Sequence, residues 1–232
     1  MEHLSAIDQI PLLDLAAVAF LGLAWLMIGW RIEHPSPQRR SVTMLMADFH
    51  KDWAVVFVGR EPRIFDSQIL GILRQGTAFF ASTSILVLGG LLALMGNLDP
   101  LRGVAAQVGG QDAPILIWQL KLGLVAFFVT NAFLKFVWAH RVFGYGTVLF
   151  AAVPNDPGDP AALPRAMQAA ELNVRAVINF NRGLRALYFA LGALGWLLGG
   201  VALVVTTFVV IWVLWSREFA SLPRSILLKD MT

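Results

Sequence analysis

The chain has 232 residues, 57% of them hydrophobic and 14% charged, with a mean hydropathy of +0.68. Soluble domains average about 45–50% apolar and about 25% charged residues; a soluble enzyme, a disordered chain and a free nucleic-acid binder are therefore excluded, and an all-α integral membrane protein of one domain remains. Cysteine is absent, which excludes disulfides and Cys-ligated metal, and the net charge of +3 with pI near 9.7 points to cytoplasmic loops rather than nucleic acid.

A bilayer core needs about 20 mostly apolar residues of helix. The first such stretch covers about 10–30. Glu2 and Asp8 precede it and no Lys or Arg does, so it does not read as a cleavable signal peptide. Asp14 lies one turn inside and is expected at the outer interface. A helix of about 37–60 follows, with Ser36 as N-cap before Pro37. Val42, Leu45, Met46, Phe49, Trp53, Val56 and Phe57 share one face, opposed by Asp48, Lys51 and Asp52. It reads as a cytoplasmic amphipathic helix, lying on the membrane or on the protein's own bundle. Asp48, His50 and Asp52 resemble a metal-ligand run, but on a helix His50 points about 200° away from Asp48.

Asp66 reads as the N-cap of a helix entering the second span, about 77–95, whose opening carries Arg74, Gln75, Thr77, Ser82 and Ser84. The third span is about 115–137. Lys121, in its first third, is expected to snorkel outward. Asn131 and Lys135 stand at i, i+4 on one face, with His140 and Arg141 beyond them. After a Pro/Gly/Asp loop, a helical segment of about 164–185 leads into a fourth span of about 186–215 with no breaker stronger than Gly183. A continuous helix over 165–215 would be roughly 75 Å long, so its early part must project or bend at the interface. Gly192, Gly195 and Gly199 permit close helix packing, inside the chain or between copies.

Twelve basic residues fall in the two segments after spans one and three, against four in the second loop and C-terminal tail. The positive-inside rule then puts both termini on the periplasmic side of a bacterial inner membrane, with the basic tail as the discordant feature. Ionisable groups inside a span are costly and need a reason. Arg74, Gln75, Asn131, Lys135, Arg141, Asn181, Arg182 and Arg185 are expected to gather at the cytoplasmic mouth of the bundle. Asp66 and Glu171 are the acids expected near them, leaving positive charge in excess. Two readings stay open: an anion site for a lipid headgroup or acidic partner segment, and an interhelical hydrogen-bond network. No haem, metal or other cofactor is expected, because His3, His34, His50 and His140 are too few and too scattered for ligation. No nucleophile elbow and no phosphate-binding loop is present.

The stretches Phe65-Asp66-Ser67-Gln68-Ile69-Leu70, Leu73-Arg74-Gln75-Gly76-Thr77-Ala78-Phe79-Phe80-Ala81-Ser82-Thr83-Ser84 and Asn179-Phe180-Asn181-Arg182-Gly183-Leu184-Arg185 resemble those of an uncharacterised four-span family of bacteria and plants, domain of unknown function 599. The resemblance covers about 30–215 and implies an integral membrane protein without supplying an activity. The residues themselves suggest a non-catalytic accessory or scaffold protein that binds partner membrane proteins or anionic lipid. The alternative is an oligomeric transporter or channel subunit with a cationic cytoplasmic mouth.

Overall fold

The structure is a computed structural model and describes residues 10–107 and 114–229. Glu2, His3 and Asp8, on which part of the N-terminal reading rests, lie outside the described residues. The described residues form helices α1 (Leu12–Glu33), α2 (Val42–Val58), α3 (Ile64–Gly96), α4 (Asp99–Gln107), α5 (Ile115–Ala151), α6 (Ala162–Ala193), a 3-10 turn (Leu194–Leu198), α7 (Gly200–Phe219) and α8 (Leu222–Leu227). Four stretches are long and apolar enough to cross a membrane: Leu12–Glu33, Ile64–Gly96, Ile115–Ala151 and Gly200–Leu227. The protein is an all-helical, multi-pass membrane protein.

In α1, Ala17, Leu21, Ala24, Ile28 and Ile32 recur at helical spacing and are buried, while Leu23, Leu26, Met27 and Trp30 are exposed. An apolar helix with one packed stripe and an equally apolar outer face suits lipid on that outer side. Helix α2 starts later than expected. Ser41, not Ser36, is its N-cap: Ser41 Oγ accepts the Met44 N–H at 3.3 Å and donates to the Ile32 carbonyl at 2.7 Å. Asp66 is not a cap; α3 begins at Ile64, and Asp66 lies in its first turn.

The expected fourth span is divided. The apolar stretch of about 186–215 is not one helix, because α6 ends at Ala193 and α7 starts at Gly200 after the 3-10 turn. Gly199 has φ 113°, a backbone conformation that side chains with a Cβ rarely adopt. The chain reverses there. Thr206 Oγ1 donates to the Gly192 carbonyl at 2.7 Å, and the Arg217 guanidinium donates to the Tyr188 hydroxyl. In a continuous helix those last two residues would stand roughly 43 Å apart. A Cβ added at Gly192 would meet Val210 at 3.1 Å, and one at Gly195 would meet the Ala202 carbonyl at 3.0 Å. Gly192 of α6 and Gly195 of the 3-10 turn are thus both packed against α7 within the chain.

The chain divides into two compact units. The first holds the residues up to Arg31, Ser84–Ala132 and Leu184–Arg217; the second holds Ile32–Thr83, Phe133–Gly183 and the residues from Glu218 on. Helices α1, α3, α5, α6 and α7 each have one end in each unit. The interior of the first unit includes Leu21, Trp118, Leu122, Phe128, Phe189 and Leu203. In the second, Ala162, Ala166, Ala169 and Ala170 make a smooth stripe on α6 against which Trp53, Phe57 and Phe150 pack. The Phe57 and Phe150 rings meet edge to face at 4.8 Å.

Candidate functional site

The residues expected at the cationic mouth divide between the units. Arg74, Gln75, Lys135, Arg141, Asn181 and Arg182 belong to the second unit, and Asn131 and Arg185 to the first. Within the second unit one of the cations has a carboxylate partner. Arg182 makes a forked pair with Glu33, Nε to Oε1 at 2.8 Å and Nη2 to Oε2 at 2.5 Å. Such bidentate geometry is the strong form of an arginine–carboxylate contact. Glu33 was not among the acids expected here. Asp66 instead binds Arg60 Nη1 at 2.5 Å and the Trp53 indole N–H at 2.5 Å, and Glu171 stands 3.9 Å from Arg175 on the exposed side of α6. Arg141 is exposed and donates Nε–H to the Tyr145 hydroxyl at 2.7 Å. Gln75 is exposed, and the Arg74 guanidinium lies beside Gly144. In the first unit Arg185 is buried against Gly29.

One of these residues, Asn181, faces a partly open cavity of about 450 Å³ in the second unit, a volume within the ordinary range of small-molecule sites. Its apolar wall is Val42, Met46, Ile72, Leu73, Gly76, Phe143, Val177 and Phe180. Its polar wall is Thr43, His50, Asn181 and Glu218. The Glu218 carboxylate accepts the Thr43 N–H at 3.0 Å and the Thr43 hydroxyl at 2.8 Å. Thr43 is the second residue of α2, so Glu218 satisfies one of the open N–H groups of that helix end and complements its dipole. Thr43 Oγ1 in turn accepts Asn181 Nδ2–H at 3.3 Å. His50 lines this cavity, with its ring 6.1 Å from that of Trp53. Burial lowers its pKa from the ordinary 6.5, so the imidazole is neutral at pH 7.

A second constellation lies in the first unit. Asp14 and Lys121 were expected at the outer interface, but both are buried, at 2% and 1% exposure. Snorkelling fails because the Trp118 ring lies 5.2 Å from the Lys121 ammonium and is itself buried. Asp14 Oδ2 accepts the Trp196 indole N–H at 2.7 Å, and its Oδ1 lies close to Gly200, the first residue of α7. The carboxylate thus sits at a helix N-terminus created by the chain reversal. Among the described residues of the first unit, Asp14 is the buried carboxylate and Lys121 a buried ammonium. Lys121 Nζ and Trp118 Nε1 have no hydrogen-bond partner among the described residues. Two ionisable groups inside candidate spans would have flagged this pair in the sequence, had the interface reading not absorbed them. Among the described residues no group of three His, Asp or Glu is arranged to hold a metal ion.

The sequence profile of the family described as a protein of unknown function, DUF599, matches residues 16–223. The chain belongs to that family. No curated protein and no solved structure matches it. The family match covers α1 to the start of α8 and therefore both constellations just described, apart from Asp14.

Proposed function

We propose that this member of the family is a non-catalytic accessory protein of the bacterial inner membrane that holds an anionic lipid. The observation that carries the reading is a groove of about 680 Å³ in the first unit, walled by apolar side chains of α1 and α7, among them Phe20, Leu23, Met27 and Ile211. Trp30, Arg31 and Trp215 lie at its α1 and α7 C-terminal end, with the Arg31 guanidinium 5.9 Å from the Trp215 ring centroid. An apolar trench ending in an arginine flanked by tryptophans suits an acyl chain and a headgroup phosphate. The test is analysis of phospholipid retained after purification in mild detergent. Wild type should retain anionic lipid, Arg31→Gln should lose the preference for anionic headgroups, and Leu23→Trp should lose the lipid. Equal retention by all three overturns the reading. A second reading, an oligomeric transporter or channel subunit, draws on the buried Asp14 and Lys121 beside a broken helix, a pattern of membrane transport sites. A symmetric oligomer with a hydrated path would favour it.

We further infer that the second unit faces the cytoplasm, with the N-terminus periplasmic and the C-terminus cytoplasmic. What supports this is the reversal at Gly199, after which α7 lies back against α6, so that on this reading the two helices count as two passages where one was expected. All but five of the eighteen Lys and Arg belong to the second unit, the five being Arg31, Arg102, Lys121, Arg185 and Arg217. The basic tail, discordant when both termini were expected outside, now joins the basic side. Single cysteines replacing Ser36, Gly158 and Ser225 should be labelled from the inside, and those replacing Ser5 and Gln107 from the outside. Outside labelling of Ser225→Cys overturns the assignment.

A further inference from the structure

We propose that the cavity of the second unit binds the ammonium group of an amine-bearing amphiphile, with Glu218 as its counter-ion and the apolar wall receiving its tail. The charge of the lining decides the class of ligand. Among the described residues that line it, Glu218 carries the formal charge and no Lys or Arg contributes. An anionic or a carboxylate-bearing ligand would face this carboxylate without compensation, at a cost of several kcal/mol in a partly desolvated site.

The hydrogen-bonding capacity points the same way. Glu218 takes two donors from Thr43, which leaves further lone pairs on its oxygens. Asn181 spends its Nδ2–H on Thr43 and its Oδ1 makes no hydrogen bond to a described residue. His50 makes no hydrogen bond to a described residue either, and a neutral imidazole offers one acceptor nitrogen. Acceptors therefore line a cavity that has no cationic side chain, with the carboxylate of Glu218 as the charged one, and an ammonium brings donors and the opposite charge. The rest of the lining, Ile72, Leu73 and Phe143 included, is apolar, so the bound molecule must be amphipathic. This is a different ligand class from the anion expected of Asn181 with Arg182: Glu33 has neutralised Arg182, and Asn181 faces Glu218's cavity instead.

The test uses the full chain in non-ionic detergent and three probes of equal tail length: dodecylamine, dodecanol and dodecanoate, each titrated while thermal unfolding is followed. Dodecylamine is expected to give a saturable stabilisation that the other two lack. Glu218→Gln keeps a carbonyl acceptor for Thr43 and should weaken dodecylamine roughly tenfold or more, the worth of a charge-assisted contact. Gly76→Trp fills the cavity without touching Glu218; a Cβ at Gly76 meets nothing within 4 Å, so this variant should fold and lose the saturable response. Equal stabilisation by dodecylamine and dodecanol overturns the proposal, as does a saturable dodecylamine response that survives Gly76→Trp or is unchanged in folded Glu218→Gln. The source of the amine is read from the lipid retained on purified protein. An ethanolamine lipid enriched on wild type and lost from Gly76→Trp identifies a headgroup as the ligand; saturable dodecylamine binding without such enrichment identifies a free hydrophobic amine.

Discussion

Replacing Asp14 with Asn would strand a buried ammonium. The two buried charges are not equally provided for. Asp14 has the Trp196 indole N–H at 2.7 Å and stands beside the first residue of α7, so it keeps favourable partners without Lys121. Lys121 Nζ has no hydrogen bond to a described residue, and apart from the Trp118 ring the buried opposite charge among the described residues of its unit is Asp14. Removing one partner of a buried pair costs about 3–5 kcal/mol when the remaining charge is left alone, whereas replacing both by apolar or neutral groups is near neutral or stabilising. Asp14→Asn retains an oxygen for Trp196 and should cost about 3–5 kcal/mol. Lys121→Met, similar in volume, should cost about 1 kcal/mol or less, because the carboxylate it leaves behind is still hydrogen-bonded. The double variant should recover most of what Asp14→Asn loses. For a chain of this length about 1 kcal/mol corresponds to roughly 2–4 °C, so Asp14→Asn should lower the unfolding midpoint by roughly 6–20 °C. The assay is thermal unfolding in detergent, completed by a double-mutant cycle. Equal losses in the two single variants, or an Asp14→Asn protein as stable as wild type, would show that Lys121 reaches water and that the pair is uncoupled.

Two further outcomes follow from local geometry. Burial lowers the pKa of His50 in the folded chain below the ordinary 6.5 of the unfolded one, so below that value the unfolded state binds more protons. Stability should therefore fall as pH drops from 6.5 through the lower folded pKa, and His50→Gln should flatten this part of the pH–stability profile; an unchanged slope would refute the assignment to His50. Gly199→Ala places a Cβ at φ 113° and should cost about 1–3 kcal/mol, seen as a lower unfolding midpoint with unchanged helix content, while Gly89→Ala, in open space within α3, should leave the midpoint unchanged or slightly raised.

Composition and hydropathy are enough to read an all-helical membrane protein from this chain, because twenty-residue apolar runs have few other uses. They also locate both ends of α1 and the apolar ends of α3 and α5 to within a turn, and the signal at Asp66 places the start of α3 to within a turn, while the extension of α5 beyond 137 into more polar sequence is missed. The break at 194–199 was hidden for a physical reason. Leu194-Gly195-Trp196-Leu197-Leu198-Gly199-Gly200 is apolar throughout, and a hydropathy window measures transfer into lipid, not chain direction. The signals that were present are the Gly199-Gly200 pair and Thr206 facing the α6 backbone, both of which mark close approach of main chains. The site was less legible still. The periodic face read for α2 contained Val56, which is exposed, and omitted Thr43, which is buried under Glu218 from a distant part of the chain. A partner 175 positions away leaves no trace in local periodicity.

On the proposed topology, helix α6 accounts for the disagreement between charge and hydropathy over the C-terminal tail. Its residues from Leu184 to Ala193 are nearly all buried or half-buried, with Leu191 as the exposed side chain. A helical segment surrounded by protein does not need the composition of one that faces lipid, so this part of α6 carries the buried Arg185 without the penalty an exposed span would meet. Counting apolar runs therefore undercounts passages whenever one helix is enclosed by the others. The distribution of Lys and Arg is not subject to that error, because it records which segments were retained on the basic side rather than what their neighbours are. Arg224 and Lys229 in the tail belong with Arg39, Arg40, Arg60 and Arg63 in the second unit, where Arg224 Nε–H is bonded to the Arg40 carbonyl at 2.9 Å. On the topology proposed above, the discordant tail is a parity signal that follows from the reversal at Gly199.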